Sequence, residues 1–156
     1  MAMTLHMELG YELTVRAPAD EVFQVLADVP ASASLFPRLH QLEDLGNNRY
    51  RWVLERIGIA SASLQPVYAS TYHADPDKGT VHWTPIAGEG NALVSGTWTV
   101  SPKGTGTQLE LDLEGDFTLP FPSLMKNVIG PISEAEFEKQ IEQYIANLAQ
   151  RFGGEA

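Results

Sequence analysis

The chain reads as an α+β fold in which a curved antiparallel sheet grips one long C-terminal helix over an internal cavity. Three observations predict it. Leu109, Leu111 and Leu113 alternate with Glu110, Asp112 and Glu114, the period-two signature of a strand with one buried and one solvated face. Phe137, Ile141, Tyr144, Ile145, Leu148 and Phe152 then recur at helical spacing, with Glu138, Lys139, Glu142, Gln143 and Gln150 on the opposite face. A single long helix thus closes a run of strands, and its one apolar stripe requires a sheet to cover it.

The elements follow in order. Leu5 to Val15 reads as a first strand. Pro18 suits a first helical position, and Val22, Leu26 and Val29 place an apolar stripe on a short helix ending near Asp28 or Pro30. A second short helix is expected over Ala31 to Phe36, between Pro30 and Pro37. Strands Leu39 to Leu45 and Arg49 to Ile57 flank Asn47-Asn48, a pair tolerant of positive φ, and that hairpin sets Asp44 opposite Arg51. In the next hairpin Asp75-Pro76-Asp77-Lys78-Gly79 supplies the turn, so Tyr72 faces Trp83 and His73 faces His82. Tyr68, Tyr72, Val81 and Trp83 then share the interior face, and the histidines point outward. Asn91 to Val100 carries Val94, Gly96, Trp98 and Val100 on one parity, with Gly96 open to close approach by another element. Gly104 and Gly106 mark the last turn before the leucine strand. Ser133 and Glu136 fit a capping box that starts the main helix near Glu134. Upstream, Leu124, Met125, Val128 and Ile129 form an apolar turn cut off by Gly130-Pro131. Phe121, Leu124 and Met125 are the lid candidates, although a Gly-Pro that only redirects the chain explains the segment equally well.

Composition narrows the function. With 156 residues the chain suits one domain, 1–156. Ten basic against twenty acidic residues give a net charge of −10, which repels phosphate backbones and argues against nucleic acid. The absence of cysteine removes disulfides, thiolate nucleophiles and zinc–thiolate sites, and fits a reducing compartment. No secretory leader and no apolar run of membrane-spanning length is read, so a cytoplasmic location without a membrane span is expected. The two facing histidines supply half of a metal site at most, with no third ligand at suitable spacing, so neither metal nor cofactor is expected. Glu110, Asp112 and Glu114 face solvent by alternation and are rejected as acid/base residues. A Ser-His-Asp hydrolase lacks its Gly-x-Ser-x-Gly elbow, and Ser61, Ser63 and Ser70 merely alternate within a strand.

The segments APADEVFQVLADV (17–29), FPRL (36–39), HWTP (82–85), GTWTV (96–100) and GTQLEL (106–111), with the terminal helix, resemble the START-like SRPBCC superfamily. Within it the chain is most similar to the polyketide cyclase/dehydrase and lipid-transport branch. The resemblance covers nearly the whole chain and implies a helix-grip fold: seven antiparallel strands around the terminal helix, two short helices after strand 1, and an apolar ligand held between sheet and helix. It carries over no catalytic residue.

A dry void of about 400 Å³ would forfeit on the order of 10 kcal/mol, as much as the whole stability of a domain. Such a space must be narrowed by rings, wetted at polar groups or filled by a guest. Tyr50, Trp52, Tyr68, Tyr72, Trp83 and Trp98 fall on inward faces, and with Phe137 and Ile141 of the helix they are the expected lining. Rings that simply plug the core are the equal alternative. Three functions remain open. The first is binding or transport of a hydrophobic small molecule or lipid. The second is a cyclase, aromatase or dehydratase type of enzyme using tyrosine hydroxyls as donors, with Arg56 or His73 assisting only under a shifted register. The third is an interaction module, such as an accessory factor for a redox complex or a chaperone, which would need an exposed apolar patch.

Overall fold

In a computed structural model the protein is described over residues 3–56, 65–119 and 126–154. The elements run β1 (Met3–Val15), α1 (Ala19–Ala27), α2 (Val29–Ala33), β2 (Leu39–Gly46), β3 (Arg49–Leu54), β4 (Val67–Asp75), β5 (Thr80–Ile86), β6 (Ala92–Lys103), β7 (Gly106–Leu119) and α3 (Lys126–Arg151). The seven strands form one curved antiparallel sheet in the order β1-β7-β6-β5-β4-β3-β2. This is the helix-grip fold. Because α1 and α2 intervene between β1 and β2, those two strands end on opposite edges of the sheet, and β7 returns to pair with β1 over its full length, from Met3 opposite Leu119 to Val15 opposite Thr107. Among the described residues no helix is long and apolar enough to cross a membrane.

The inward parity of each strand builds the core. Val94, Trp98 and Val100 of β6 and Leu109 and Leu111 of β7 are buried, while Glu110, Asp112 and Glu114 lie on the solvent side, as the alternation requires. Helix α3 adds Phe137, Ile141, Tyr144 and Leu148, all buried. Its far end is fixed by a Schellman closure: the amide of Gly154 donates to the Ala149 carbonyl at 2.7 Å and that of Gly153 to Gln150 at 3.3 Å, with both glycines at positive φ. Arg16 and Ala17 then donate their amides to the carbonyls of Gly154 and Phe152. These bonds tie the end of α3 to the junction of β1 and α1, so the helix cannot slide along the sheet.

Several expectations are corrected. Helix α3 begins at Lys126 and passes through Gly130-Pro131, instead of starting near Glu134. Pro131 lies little more than one turn in from the helix start, where it removes a single amide bond just beyond the amides that lack helical partners anyway. Ser133 and Glu136 therefore stand inside a helix and do not cap one. Arg51 pairs with Glu43, at 3.5 Å, and Asp44 faces Tyr50, because an irregularity between Asp44 and Gly46 shifts the hairpin register by one. Helix α2 spans Val29–Ala33 and not Ala31–Phe36, since the Asp28 carboxylate caps the Ala31 amide and Pro30 fits the first turn. Strand β3 stops at Leu54, short of Ile57, which lies outside the described residues with Ser61 and Ser63. The β4–β5 hairpin keeps its expected register, with Tyr72 opposite Trp83 and His73 opposite His82.

Candidate functional site

Cross-strand register places large rings side by side on the concave face. Trp52 of β3 opposes Tyr68 of β4, Tyr72 opposes Trp83 of β5, and Val81 opposes Trp98 of β6. The Trp52 and Tyr68 rings stack with centroids 6.0 Å apart and planes 10° apart. Tyr72 lies 5.6 Å from Trp83, and Phe36 bridges the sheet to the helix, 6.0 Å from Trp52 and 5.6 Å from Tyr144. Gly96, opposite Trp83, makes room for that indole: a Cβ there would fall within 3.0 Å of the Trp83 ring.

Together these rings enclose a cavity between sheet, α1–α2 and α3. About 50 Å³ of it is reachable by the centre of a water molecule, enough for a few small atoms and far short of an open channel. Its lining includes Trp52, Tyr68, Tyr72, Trp83, Trp98, Phe137 and Ile141. Tyr50 does not line it; its ring packs edge-on against Tyr72, 5.8 Å away, toward the β2–β3 end. Phe121, Leu124 and Met125 lie outside the described residues. The lining also takes Val81, Val94, Leu111 and Leu113, which strand parity groups with the inward rings, and Leu26, Val29, Ser32, Phe36 and Tyr144, which come from helices and loops that no strand pattern reaches. Tyr144 carried a usable signal, because a hydroxyl-tipped ring on an otherwise aliphatic helix stripe must find a buried partner. That partner, Ser32, stands 112 positions away, and no local pattern reveals it.

Among the described residues the polar groups of the cavity are few and uncharged. Ser32 Oγ and the Tyr144 hydroxyl share a short hydrogen bond. The Trp52 indole N–H donates to the Tyr72 hydroxyl at 2.8 Å. Tyr68, stacked on Trp52, brings a third hydroxyl to the lining. Burial raises all three phenols above their ordinary pKa. Tyr144 is pushed up to about 12 by desolvation, with the Ser32 bond and the Trp98 indole pulling the other way. Tyr72 is raised by desolvation and by Tyr68, against the Trp52 bond, and Tyr68 by desolvation and by Tyr144. At neutral pH each keeps its proton, so among the described residues the cavity offers hydrogen-bond donors and no base. Arg56 and His73 are exposed, and Ser70 is buried with its hydroxyl donated to the Val94 carbonyl at 3.1 Å.

A wider concavity lies on the opposite face of the sheet, lined by Glu8, Gly10, His82, Thr97, Asp112 and Glu114. It is larger but open and polar, so it can neither exclude water from a guest nor bury apolar area. His82 there bonds Thr97 Oγ1 at 2.8 Å. Nearby, His6 sets Nδ1 2.6 Å from Asp116 and Nε2 3.2 Å from Glu8 and 3.6 Å from Glu114. Both ring nitrogens are already engaged by carboxylates, and the group is solvent-exposed, an ion-pair cluster in form.

Comparison with known proteins agrees with this architecture. The family model described as polyketide cyclase / dehydrase and lipid transport matches residues 8–153. No curated protein matches the chain by sequence. Among solved structures, a protein from Thermus thermophilus superposes with a TM-score of 0.68 at 18% identity, covering 94% of this chain and 97% of that one. The Zhui aromatase/cyclase from Streptomyces sp. R1128 gives 0.67 at 20% identity, covering 95% and 94%. A START superfamily protein from Mycobacterium smegmatis gives 0.65 at 14% identity, covering 92% and 97%. At these identities the likeness establishes the START/SRPBCC fold.

Proposed function

The chain belongs to the polyketide cyclase / dehydrase and lipid transport family, and from that premise we propose that it binds a small hydrophobic molecule in the cavity between the sheet and α3. The observation that carries the reading is the cavity itself: a space walled by packed aromatic rings, covered by a helix, and lined, among the described residues, by no group that would be charged at neutral pH. Trp52, Tyr68, Tyr72, Trp83, Trp98, Phe137 and Ile141 would supply the contact area, at roughly 25 cal/mol for each Å² of apolar surface removed from water. Its narrowness favours a compact or flat guest over a thick one, or requires Phe137 and Ile141 to yield as α3 moves. Phe121, Leu124 and Met125, which precede α3 in sequence, are our lid proposal. The cysteine-free, acidic composition supports a cytoplasmic, single-domain binder.

A catalytic reading draws on one feature, the hydroxyls of Tyr68, Tyr72 and Tyr144, which suit hydrogen bonding to a forming enolate as in a cyclase or aromatase. Among the described residues the lining has no carboxylate, imidazole or amine to take a proton, so such chemistry would rely on an internal base of the substrate. The interaction-module reading has the least support: Leu93, 41% exposed, is the one exposed large hydrophobic side chain among the described residues. Native mass spectrometry of freshly purified protein, with organic extraction of whatever co-purifies, tests the binding proposal. A non-covalent adduct of neutral organic mass is expected. Unshifted spectra across a broad panel of lipids and small aromatics would count against it.

A further inference from the structure

We infer that the outer face of the β1–β7 pair carries a binding site for a divalent ion of the zinc class, with His6, Glu8 and Glu114 as ligands and Asp116 as the residue that positions the imidazole. Strand register assembles it. In the antiparallel pair His6 lies opposite Asp116 and Glu8 opposite Glu114, and residues two apart on a strand point to the same face, so all four side chains share one patch. His6 Nε2 stands 3.2 Å from a Glu8 carboxylate oxygen and 3.6 Å from one of Glu114. One donor atom from each of the three residues lies within 4.8 Å of the other two. Zinc bonds of about 2.0–2.2 Å in a tetrahedron set neighbouring ligand atoms about 3.3–3.6 Å apart. The two separations at His6 fall close to that spacing, so the ion would be received with little rearrangement.

The imidazole separates this group from an ordinary acidic patch. Asp116 Oδ1 lies 2.6 Å from His6 Nδ1, the carboxylate–histidine arrangement that keeps a proton on Nδ1, fixes the ring and leaves the Nε2 lone pair to a metal. That lone pair is aimed at two carboxylates, a disposition that needs a cation between them. A proton on Nε2 brings one positive charge to the three carboxylates around the ring, whereas a divalent ion brings two. Among the described residues the ion pairs of Glu8, Glu114 and Asp116 are those with His6. Directly opposed Glu8 and Glu114 repel across the ladder, and an ion shared between them turns that repulsion into a clamp that holds edge strand β1 to β7. A donor set of one imidazole and two carboxylates suits Zn²⁺ or Co²⁺, whereas Mg²⁺ and Ca²⁺ take shells built of oxygen. The ligands are exposed, and Glu8 and Glu114 also line the open outer concavity, so water completes the coordination sphere.

The test is a calorimetric titration of Zn²⁺ at about pH 7.5, where the imidazole gives up its proton to a metal, into the full chain dialysed against chelator and carrying no purification tag. One saturable site is expected, and a large excess of Mg²⁺ should not displace the zinc. Asp116→Asn should weaken binding about tenfold or more, the usual cost of losing an orienting carboxylate, and His6→Gln, Glu8→Gln and Glu114→Gln at least as much. Glu12→Gln is the control: Glu12 opposes Glu110 on the same face, outside the cluster, and its loss should leave the affinity within about twofold if attraction to an acidic face contributes little. In nitrogen spectra of the four histidine rings, Zn²⁺ should shift Nε2 of His6 while Nδ1 keeps its proton. Zinc should also raise the Tm of the parent and leave that of His6→Gln unmoved. The inference is overturned if zinc binds more weakly than about 1 mM, if His6→Gln binds like the parent, or if Glu12→Gln costs as much as Glu8→Gln, which marks diffuse counter-ion attraction. A shift at His40, His73 or His82 in place of His6, or an Asp116→Asn variant with unchanged affinity and ring signals, overturns it as well. The ion lies on the face of the sheet away from α3, so its failure leaves the cavity reading standing.

Discussion

Gly96→Ala probes how the concave face is built. Gly96 sits on the inward parity between Val94 and Trp98 and lies under the Trp83 indole. An alanine Cβ would enter the ring's Cζ2 and Cε2 edge inside 3.0 Å and meet the Asp112 carbonyl oxygen at 2.9 Å. The carbonyl belongs to the β6–β7 ladder and cannot retreat, so the indole must move toward the cavity. Overpacking of this kind costs about 1–3 kcal/mol. Replacing a strand glycine by alanine returns about 0.5–1 kcal/mol of backbone entropy. The balance is a loss of about 1–2 kcal/mol, or a fall in Tm of about 2–8 °C for a chain of this size. Thermal or urea unfolding of the parent, Gly96→Ala, Trp83→Leu and the double variant reads this directly. With the indole gone only the Asp112 carbonyl contact remains, so the glycine substitution should cost less in the Trp83→Leu background, a coupling of about 1 kcal/mol. Equal losses in both backgrounds, or no loss in either, would refute the packing of Trp83 over Gly96.

Gln140 is 4% exposed and neither its amide nitrogen nor its oxygen has a partner among the described residues, so Gln140→Met should raise stability by about 1–3 kcal/mol in urea unfolding; a loss would show that the amide is bonded in solution. Leu148 is fully buried on α3, and Leu148→Ala should cost about 2–5 kcal/mol in the same measurement. The pKa of His6 is raised above 6.5, chiefly by its hydrogen bond to Asp116 and then by Glu8. A raised folded-state value means that the stabilisation is present in full below pH 6.5 and is lost as pH rises through the folded pKa. An NMR titration should therefore place His6 above 6.5, and Asp116→Asn should bring it back toward the ordinary value; an unmoved midpoint in the variant would assign the shift elsewhere.

Most of the framework is legible because it rests on periodicity. The Leu109–Leu113 alternation, the Phe137–Phe152 stripe and the Asp75–Gly79 turn are each local, and each fixes a face or a register correctly. What fails locally is punctuation. Pro131 reads as a helix breaker, yet so near the helix start it removes only one bond and the helix runs through it. Asn47-Asn48 reads as a symmetric hairpin, and one irregular residue moves Arg51 from Asp44 to Glu43. Within the site, parity identifies Trp52, Tyr68, Tyr72, Trp83 and Trp98 as inward, but parity cannot say how far along a strand the cavity extends, which is why Tyr50 falls among the expected lining. Ser32 and Phe36 come from a segment with no strand period, and their roles depend on Tyr144 more than a hundred residues later. His6 gives no signal at all, because its carboxylate neighbours on β7 reach it only through the pairing of β1 with β7.

All three tryptophans of the chain, Trp52, Trp83 and Trp98, line the cavity, so their indole N–H resonances form a reporter set confined to it. A titration with a small neutral aromatic, followed in a nitrogen–proton correlation spectrum, should move all three resonances together along one saturable curve while the His82 ring and Thr97 methyl signals on the opposite face, followed in a carbon–proton spectrum, stay still. Movement of those outer side-chain signals with the three indoles unchanged would place binding on the wrong side of the sheet and contradict a ligand held between sheet and helix.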